Sequence, residues 1–464
     1  MSRKICSQVL QKIKPSKSEE KALHRLTNRI ITQIDAAAKE LGVEVRGLLV
    51  GSAARNTWIS GDRDLDIFIT FPESVTHEEL ESLGLGIAKK VAPKYEERYA
   101  EHPYIRAFFE GIPDETSGRV VIPKGFQGYR VDLVPCFRVS DPSAIRSAVD
   151  RTPFHNEYVK NKIKGLEDEV RLLKQFLKGI GVYGAELKTM GFSGYLCELL
   201  IIKYNSFLDV VQSVSKWHRN VIIDIENHGT LEHDTPLVII DPVDPSRNVA
   251  AAVSLDNFCT FVDASREFLK KPGIHFFFPP PVKPLTDKEL AQELKHRKTE
   301  LLAVVFDTPN VVDDILYPQL YKAVRSIEEL LHRNDFRVFR SGIWSGVRSV
   351  ILLEMEVATL PNVKKHIGPP VESSIHAEKF KIKYASQHPY IQDGRYVVDI
   401  SREYTKAKDL LKSKLKTCGV GKHVSEAIGK GYRVLKDAQI AKIEDKDFRI
   451  FLRKYFRKYR RMRG

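Results

Sequence analysis

The sequence predicts an α+β protein of more than one domain, and three observations lead there. The chain has 464 residues, enough for about three domains of ordinary size. Within the first 150 positions short runs that alternate apolar and polar residues, the period of strands, are interspersed with helical spacing, whereas from Thr152 apolar residues recur every third or fourth position, the period of helices. After Pro279-Pro280-Pro281, a stiff connector, strand-like and helix-like runs alternate towards the C-terminus. The expected order is a mixed sheet with helices over 1–150, a helical segment over 151–272, and an α/β module with a basic tail over 273–464.

Lys and Arg number 74 against 60 Asp and Glu, a net charge of +14. That excess suits a polyanionic partner, nucleic acid or an anionic membrane surface, without choosing between them. No apolar run approaches the roughly 20 residues of a membrane span. The N-terminal stretch, with Lys4, Lys12, Lys14 and Lys17, lacks the apolar segment of a signal peptide. Cys6, Cys136, Cys197, Cys259 and Cys418 are scattered singly with no Cys-x-x-Cys, so nothing supports a zinc or redox site. Such a set fits a reducing cytosol, and a cytoplasmic location without membrane insertion is expected.

Residues 18–41 carry Leu23, Leu26, Ile30, Ile34 and Leu41 at helical spacing, an amphipathic helix that stops at Gly42 and packs on a sheet. Leu48-Leu49-Val50 reads as a strand, Gly51-Ser52 as a tight turn, the residues up to Arg55 as a short helix, and Asp64 to Ile69 as a second strand. Asp64 and Asp66 alternate with Leu65 and Ile67, so both carboxylates share one face. Neighbouring carboxylates repel. A hard divalent cation such as Mg²⁺, which takes carboxylate oxygens together with phosphate and water, relieves that repulsion. The Gly-Ser turn offers free backbone N–H groups and a positive helix end to a phosphate. Arg55, one turn on, can reach the same phosphate. Each feature alone is ordinary: Asp-x-Asp is commonly solvated and Gly-Ser is commonly an N-cap. Their succession points to nucleotide chemistry.

A helix is expected near 76–92, a strand over 107–112, and another over 129–135, where Asp132 sits between Val131 and Leu133 and supplies a third carboxylate. Ile163, Leu166, Val170, Leu173 and Leu177 then form a helical stripe with Lys174 at its edge. His155 precedes that helix, and Tyr183 follows the helix stop Gly179-Ile180-Gly181-Val182. Ser193 caps the next helix. Asp241-Pro242-Val243-Asp244-Pro245 is a loop in which Asp241 and Asp244 serve as turn residues. It leads through Arg247 into an apolar helix over 249–253.

Beyond the connector, helices are expected over 285–294, 315–331 and 405–416, strands over 301–306, 350–357 and 396–400, and a rigid loop at His366-Ile367-Gly368-Pro369-Pro370-Val371. There is no internal repeat and no RNP motif with stacking aromatics. In the basic C-terminus, Phe448, Phe451, Leu452, Tyr455 and Tyr459 make one helical face for docking, leaving Arg and Lys for RNA phosphates.

Gly51-Ser52 followed by Asp64-x-Asp66 resembles the signature of the DNA polymerase β-like nucleotidyltransferases. The fuller string Gly-Ser-Ala-Ala-Arg-Asn-Thr-Trp, then Gly-Asp-Arg-Asp-Leu-Asp-Ile-Phe, is similar to the class I, archaeal-type CCA-adding enzymes, and the resemblance covers nearly the whole chain. It implies a polymerase β-like nucleotidyltransferase head, a helical neck and an α/β RRM-like body with a basic tail. It implies that Asp64, Asp66 and Asp132 are catalytic and hold Mg²⁺, with Asp132 nearest the attacking hydroxyl. Ser52, Arg55, His155, Lys174 and Tyr183 are then nucleotide contacts, and Arg247 lies near the incoming base and the RNA phosphate. The implied reaction is template-independent addition of C, C and A from CTP and ATP to the 3′ end of tRNA, by a homodimer. Some relatives carry Glu where this chain has Asp64, and both side chains chelate.

A homopolymer-adding relative, a poly(A) or oligoadenylate synthase, would use the same three acids. The three-domain order and the segment at 366–371 match the CCA-adding enzymes better. A catalytically inactive RNA-binding relative would lack a metal acid, and all three are present.

Overall fold

The computed structural model describes residues 1–99, 103–109, 118–119, 128–229 and 235–457. It divides into two compact units, one spanning Met1–Pro280 and the other beginning at Pro281.

The first unit opens with α1 (Ser2–Ile13), which the sequence reading did not anticipate, and α2 (Lys17–Glu40), started by a Ser16–Glu19 capping box. The sheet follows: β1 (Arg46–Val50), the single-turn helix α3 (Gly51–Ala54), β2 (Asp64–Pro72), α4 (His77–Val91), β3 (Lys94–Tyr99), β4 (Pro103–Phe109), the short β5 (Gly118–Arg119) and β6 (Tyr129–Arg138). Of the strand expected over 107–112, the part beyond Phe109 lies outside the described residues. The strand order is β1-β2-β6-β4-β3-β5, with β2 and β6 parallel in the middle and β1 and β4 antiparallel to them.

Alternation decides which face is buried where. Leu65, Ile67, Ile69 and Phe71 of β2 pack with Leu133 and Phe137 of β6 under α2 and α4. The opposite face carries a smaller apolar cluster, Val50, Phe68, Val134 and Cys136. Asp64, Asp66 and Asp132 are in phase with Phe68 and Val134, so they lie on this second face.

The helical part runs α5 (Arg151–Lys162), α6 (Glu167–Ile180), α7 (Gly194–Tyr204) and α8 (Phe207–Val214), then strands β7 (Val221–Ile223) and β8 (Leu237–Ile239), then α9 (Leu255–Lys270). The apolar stripe expected to begin at Ile163 spans a break: Ile163 and Leu166 sit in the turn between α5 and α6. Gly181 ends α6 in the left-handed conformation and Ser193 caps α7, both as expected. Residues 249–253 are turns rather than a helix. The Asn248 side chain accepts from the N–H of Ile239 and Ala250 and donates to the Leu237 carbonyl, so the chain turns there and α9 starts only at the Ser254 cap. The core under these helices includes Val9, Ile13, Phe176, Leu177, Phe261 and Phe268, so α1 joins it.

The second unit holds α10 (Asp287–Arg297), β9 (Glu300–Asp307), α11 (Asp313–Arg333), β10 (Arg337–Ser345), β11 (Arg348–Val357), β12 (Val363–Pro370), α12 (Ser374–Lys383), β13 (Tyr390–Gln392), β14 (Arg395–Ser401), α13 (Ala407–Lys414), α14 (Lys422–Lys430), β15 (Arg433–Lys436) and α15 (Lys446–Phe456). An antiparallel sheet of order β10-β11-β9-β15 carries α11, α13 and α14 on one face, and α10 and α15 on the other. A second sheet runs β12-β14-β13. Its β12 corrects the loop expected at 366–371: those residues up to Pro370 are an edge strand, with an irregular register between Ile367 and Pro370, and both features let a strand hold proline.

Helix α15 buries Phe448, Leu452, Tyr455 and Phe456, while Tyr459 lies outside the described residues. Two of its arginines, and Arg457 just past its end, are tied to α10 rather than presented outwards. Arg449 pairs with Asp287 at 2.7 Å, Arg453 with Glu289 at 2.6 Å, and Arg457 with Glu293 at 3.7 Å. These three arginines are thereby withdrawn from the basic face expected to meet RNA phosphates, while the basic residues from 458 on lie outside the described residues.

Candidate active site

Parallel pairing of β2 with β6 sets Asp66 opposite Asp132 and Asp64 opposite Arg130. Burial, and then the charges of Asp132 and Asp64, push the Asp66 carboxyl up to about 6. Each outer acid holds its cross-strand neighbour. Arg130 Nε lies 2.6 Å from Asp64 Oδ1. Arg106, opposite Asp132 on β4, donates from Nε and Nη2 to the two oxygens of Asp132, each at 2.6 Å. This bidentate bond raises the guanidinium pKa further. Among the described residues, no three His, Cys, Asp or Glu side chains are already drawn around one point. The donor set nevertheless suits a hard divalent cation: only carboxylates, with excess negative charge centred on Asp66.

Gly51 has φ +73°, and a Cβ there would fall 2.4 Å from Asp66 Oδ2. Only glycine lets the chain turn at that point and pass so near the carboxylate. The turn is closed by the Thr57 N–H, which donates to the Ser52 carbonyl at 2.9 Å.

Behind this turn is a buried polar cluster. Arg55 donates from Nε to Glu198 Oε1 at 3.1 Å, places Nη2 2.9 Å from Oε2, and donates from Nη1 to Asn156 Oδ1 at 3.2 Å. The Thr57 hydroxyl donates to Glu198 Oε1 at 2.5 Å and accepts from Lys174 Nζ at 3.2 Å. Lys174 also donates to the Thr57 carbonyl at 3.1 Å. Burial lowers the Lys174 pKa and Glu198 opposes that shift. Tyr183 joins from beyond α6. A Cβ on Gly194 would stand 3.2 Å from its hydroxyl and 3.6 Å from Lys174 Nζ, so both groups converge on the start of α7. Burial raises the Tyr183 phenol pKa.

A third group centres on Asp241, fully buried. His155 Nε2 lies 2.9 Å from Oδ2, and Arg247 Nη1 donates to the same oxygen at 2.7 Å. The Tyr195 hydroxyl donates to Oδ1 at 3.1 Å, and its ring stacks on His155 at 4.4 Å. Burial alone would raise the Asp241 pKa, but His155, the Val243 N–H and Arg247 outweigh it and hold the carboxyl near 2. The expected turn role is real, through Val243, and it is the smaller part of what Asp241 does. Asp244 is a turn residue, accepting from Ser246, and it also pairs with Arg151.

The groups are neighbours by sequence. His155 and Asn156 are adjacent on α5, and Tyr195 and Glu198 lie one turn apart on α7. The structure thus draws Arg55, Lys174 and Tyr183 into one cluster and His155 and Arg247 into the next. Sequence reasoning missed Glu198, Thr57, Asn156, Tyr195 and Arg106. Glu198 alone left a signal, a lone charge inside Tyr195-Leu196-Cys197-Glu198-Leu199-Leu200-Ile201-Ile202.

The chain's resemblances follow the same division. A nucleotidyltransferase-domain family matches residues 31–155, the second domain of tRNA nucleotidyltransferases matches 168–278, and the C-terminal domain of CCA-adding enzymes matches 297–437. The CCA-adding enzyme of Methanosarcina acetivorans is 51% identical over 456 residues, covering 96% of this chain and 97% of its own. The chain belongs to the CCA-adding enzymes. The CCA-adding enzyme of Methanosarcina barkeri is 49% identical, over 96% of this chain and 97% of its own. Among solved structures, the Cid1 poly(U) polymerase aligns with TM-score 0.44 at 16% identity, over 60% of this chain and 94% of its own. As a CCA-adding enzyme the protein is a nucleotidyltransferase that adds C, C and A to tRNA without a template. Nucleotidyltransferases of this kind use divalent metal ions. Among the described residues, no helix of this CCA-adding enzyme is long and apolar enough to cross a membrane.

Proposed function

We propose that Asp64, Asp66 and Asp132 are the catalytic acids, and that Ser52, Arg55, His155, Lys174, Tyr183 and Arg247 bind the nucleotide. The observation that carries this reading is the register of β2 and β6, which puts Asp66 beside Asp132 with the Gly51 turn against them. In the reaction the 3′-oxygen of the tRNA attacks the α-phosphorus of CTP or ATP. A new P–O bond forms, the bond to the β-phosphate oxygen breaks, and pyrophosphate leaves. The three acids would hold Mg²⁺, which when bound lowers the hydroxyl's pKa and offsets charge on the leaving pyrophosphate.

Arg55 and Lys174 bring two cations to one buried carboxylate, leaving a net positive charge to meet the triphosphate. Tyr183 and Ser52 flank them and orient the chain of phosphates. Arg247, held by Asp241, faces the base and the RNA end in this reading, while His155, held by the same carboxylate, counts among the triphosphate contacts. The tRNA is held by shape and charge along its acceptor helix. The head, neck and body divisions at 1–150, 151–272 and 273–464, a homodimeric state and a cytoplasmic location belong to the same proposal, and sedimentation tests the dimer.

The deciding experiment offers tRNA lacking its last three residues with each nucleoside triphosphate in turn. Two additions from CTP followed by one from ATP are expected, and long A tails would instead favour a poly(A)-type enzyme. Asp132→Ala is expected to lose on the order of 10³-fold in rate, and near wild-type extension by that variant would overturn the assignment of the acids.

A further inference from the structure

We propose that Glu198 is a positioning residue for nucleotide binding, its carboxylate holding Arg55, Thr57 and Lys174 in place for the triphosphate. The proposal rests on the reading of Arg55 and Lys174 as phosphate contacts. Glu198 is fully buried, on a helix whose Leu196, Cys197, Leu199 and Leu200 are all core residues. A carboxylate removed from water gives up its hydration, and a well-packed apolar side chain would serve the core at least as well. Its partners come from separate elements. Arg55 ends α3, Thr57 lies in the loop after it, and Lys174 is on α6. The Thr57 hydroxyl accepts from Lys174 and gives its one proton to Glu198, so the carboxylate orients the hydroxyl that meets Lys174.

With Arg55 and Lys174 against one carboxylate, a single positive charge is left over. Without Glu198 two cations would face each other in a place poor in water, and Lys174, the one able to lose its proton, would do so. The charged and titratable groups facing Lys174 are Glu198 and Cys197 on α7, Arg55 after α3, Asp62 in the following loop, and Tyr183. Of these, Glu198 gives the largest support to its charged form.

The test is Glu198→Gln, of nearly the same shape and without the charge, beside Glu198→Asp, Arg55→Ala and Lys174→Ala. Steady-state kinetics of the full chain are measured with CTP and with ATP on tRNA lacking its CCA end, between about pH 6 and pH 10. For Glu198→Gln the KM for both nucleotides is expected to rise about tenfold at neutral pH, kcat at saturation to change much less, and the alkaline rise in KM to move down by about one pH unit or more. Glu198→Asp is expected to raise KM while keeping the alkaline limb near its wild-type position. A role confined to holding the fold would lower the melting temperature of both variants and leave KM and the alkaline limb in place, which would overturn the proposal. If Glu198→Gln does not fold, Glu198→Asp decides, and an unchanged KM there is also fatal. Failure of the underlying reading looks different: Arg55→Ala and Lys174→Ala would then leave KM unaltered, whatever Glu198 does.

Discussion

Gly51 and Asp66 are so close that a side chain on the first would collide with the second: a Cβ would sit 2.4 Å from Oδ2, at a backbone φ of +73°. Neither term can be relieved by a rotamer change at position 51. Gly51→Ala must therefore shift either the turn or the carboxylate. We expect it to cost about 1 kcal/mol or more of stability from the left-handed φ. The loss in kcat should be larger, on the order of 10²-fold, because Asp66 is displaced. Thermal melting and steady-state rates of one preparation check both. A variant with wild-type kcat would show that the position of Asp66 does not matter.

Asp241 gives a pH prediction with a definite sign. Its carboxyl is held near 2, below its usual value of 3.8, by His155, Val243 and Arg247 against the effect of burial. A depressed folded-state pKa contributes stability above the unfolded value, and that stability is lost as pH falls from about 4 towards 2. Asp241→Asn should therefore cost about 2 kcal/mol near neutral pH, and the gap to wild type should close in that acid window. Urea unfolding at a series of pH values measures it. A gap that widens as the pH falls would contradict the pairing.

How far the sequence reaches is clearest at these two sites. Gly51-Ser52 and Asp64-x-Asp66 are local patterns, and strand alternation is enough to put both carboxylates on one face. Asp132 was legible for the same reason, although its strict partner, Asp66, is fixed only by sheet register. Asp241 hid behind Pro242, since turn chemistry sufficed to explain it. Two of its partners, His155 and Tyr195, are 86 and 46 residues away, beyond any local window, and only Arg247 and Val243 are near it in the chain. Glu198 was absorbed into an apolar helix because pattern reading averages over a face. Pro369 and Pro370 suggested a loop, since nothing in the sequence reveals that β12 is an edge strand.

The net charge of +14 predicts that tRNA affinity falls steeply with salt, by about tenfold or more between roughly 50 and 200 mM. Arg453 is excluded from that effect. It grips Glu289 at 2.6 Å and the carbonyls of Lys283 and Pro284. Arg453→Ala should lower the melting temperature and leave the salt slope as it was. Filter binding across a salt series checks this, and a slope reduced by about one unit would instead place Arg453 on a phosphate.

Helix α6 holds the loop that leads from Arg55 to Asp64 with three side chains. Arg171 donates to the carbonyls of Asn56 and Trp58, at 2.5 and 2.9 Å, Lys174 to that of Thr57, and Lys178 reaches Asp62 at 3.0 Å. Arg171 is 2% exposed, whereas the Lys178 and Asp62 side chains are 32% and 41% exposed. The two outer contacts should thus differ sharply in weight. Arg171→Met leaves the buried Trp58 carbonyl without its donor, removes the tie to Asn56 and leaves Asp168 with Lys14 alone, at a cost of about 2–3 kcal/mol. Lys178→Met removes a solvated pair worth under about 1 kcal/mol. If the loop sets the distance between the phosphate contacts and the acids, kcat/KM should fall about tenfold in Arg171→Met, assayed well below its melting temperature, and little in Lys178→Met. Equal losses in the two variants would mean that α6 acts on the site through charge rather than through the path of the backbone.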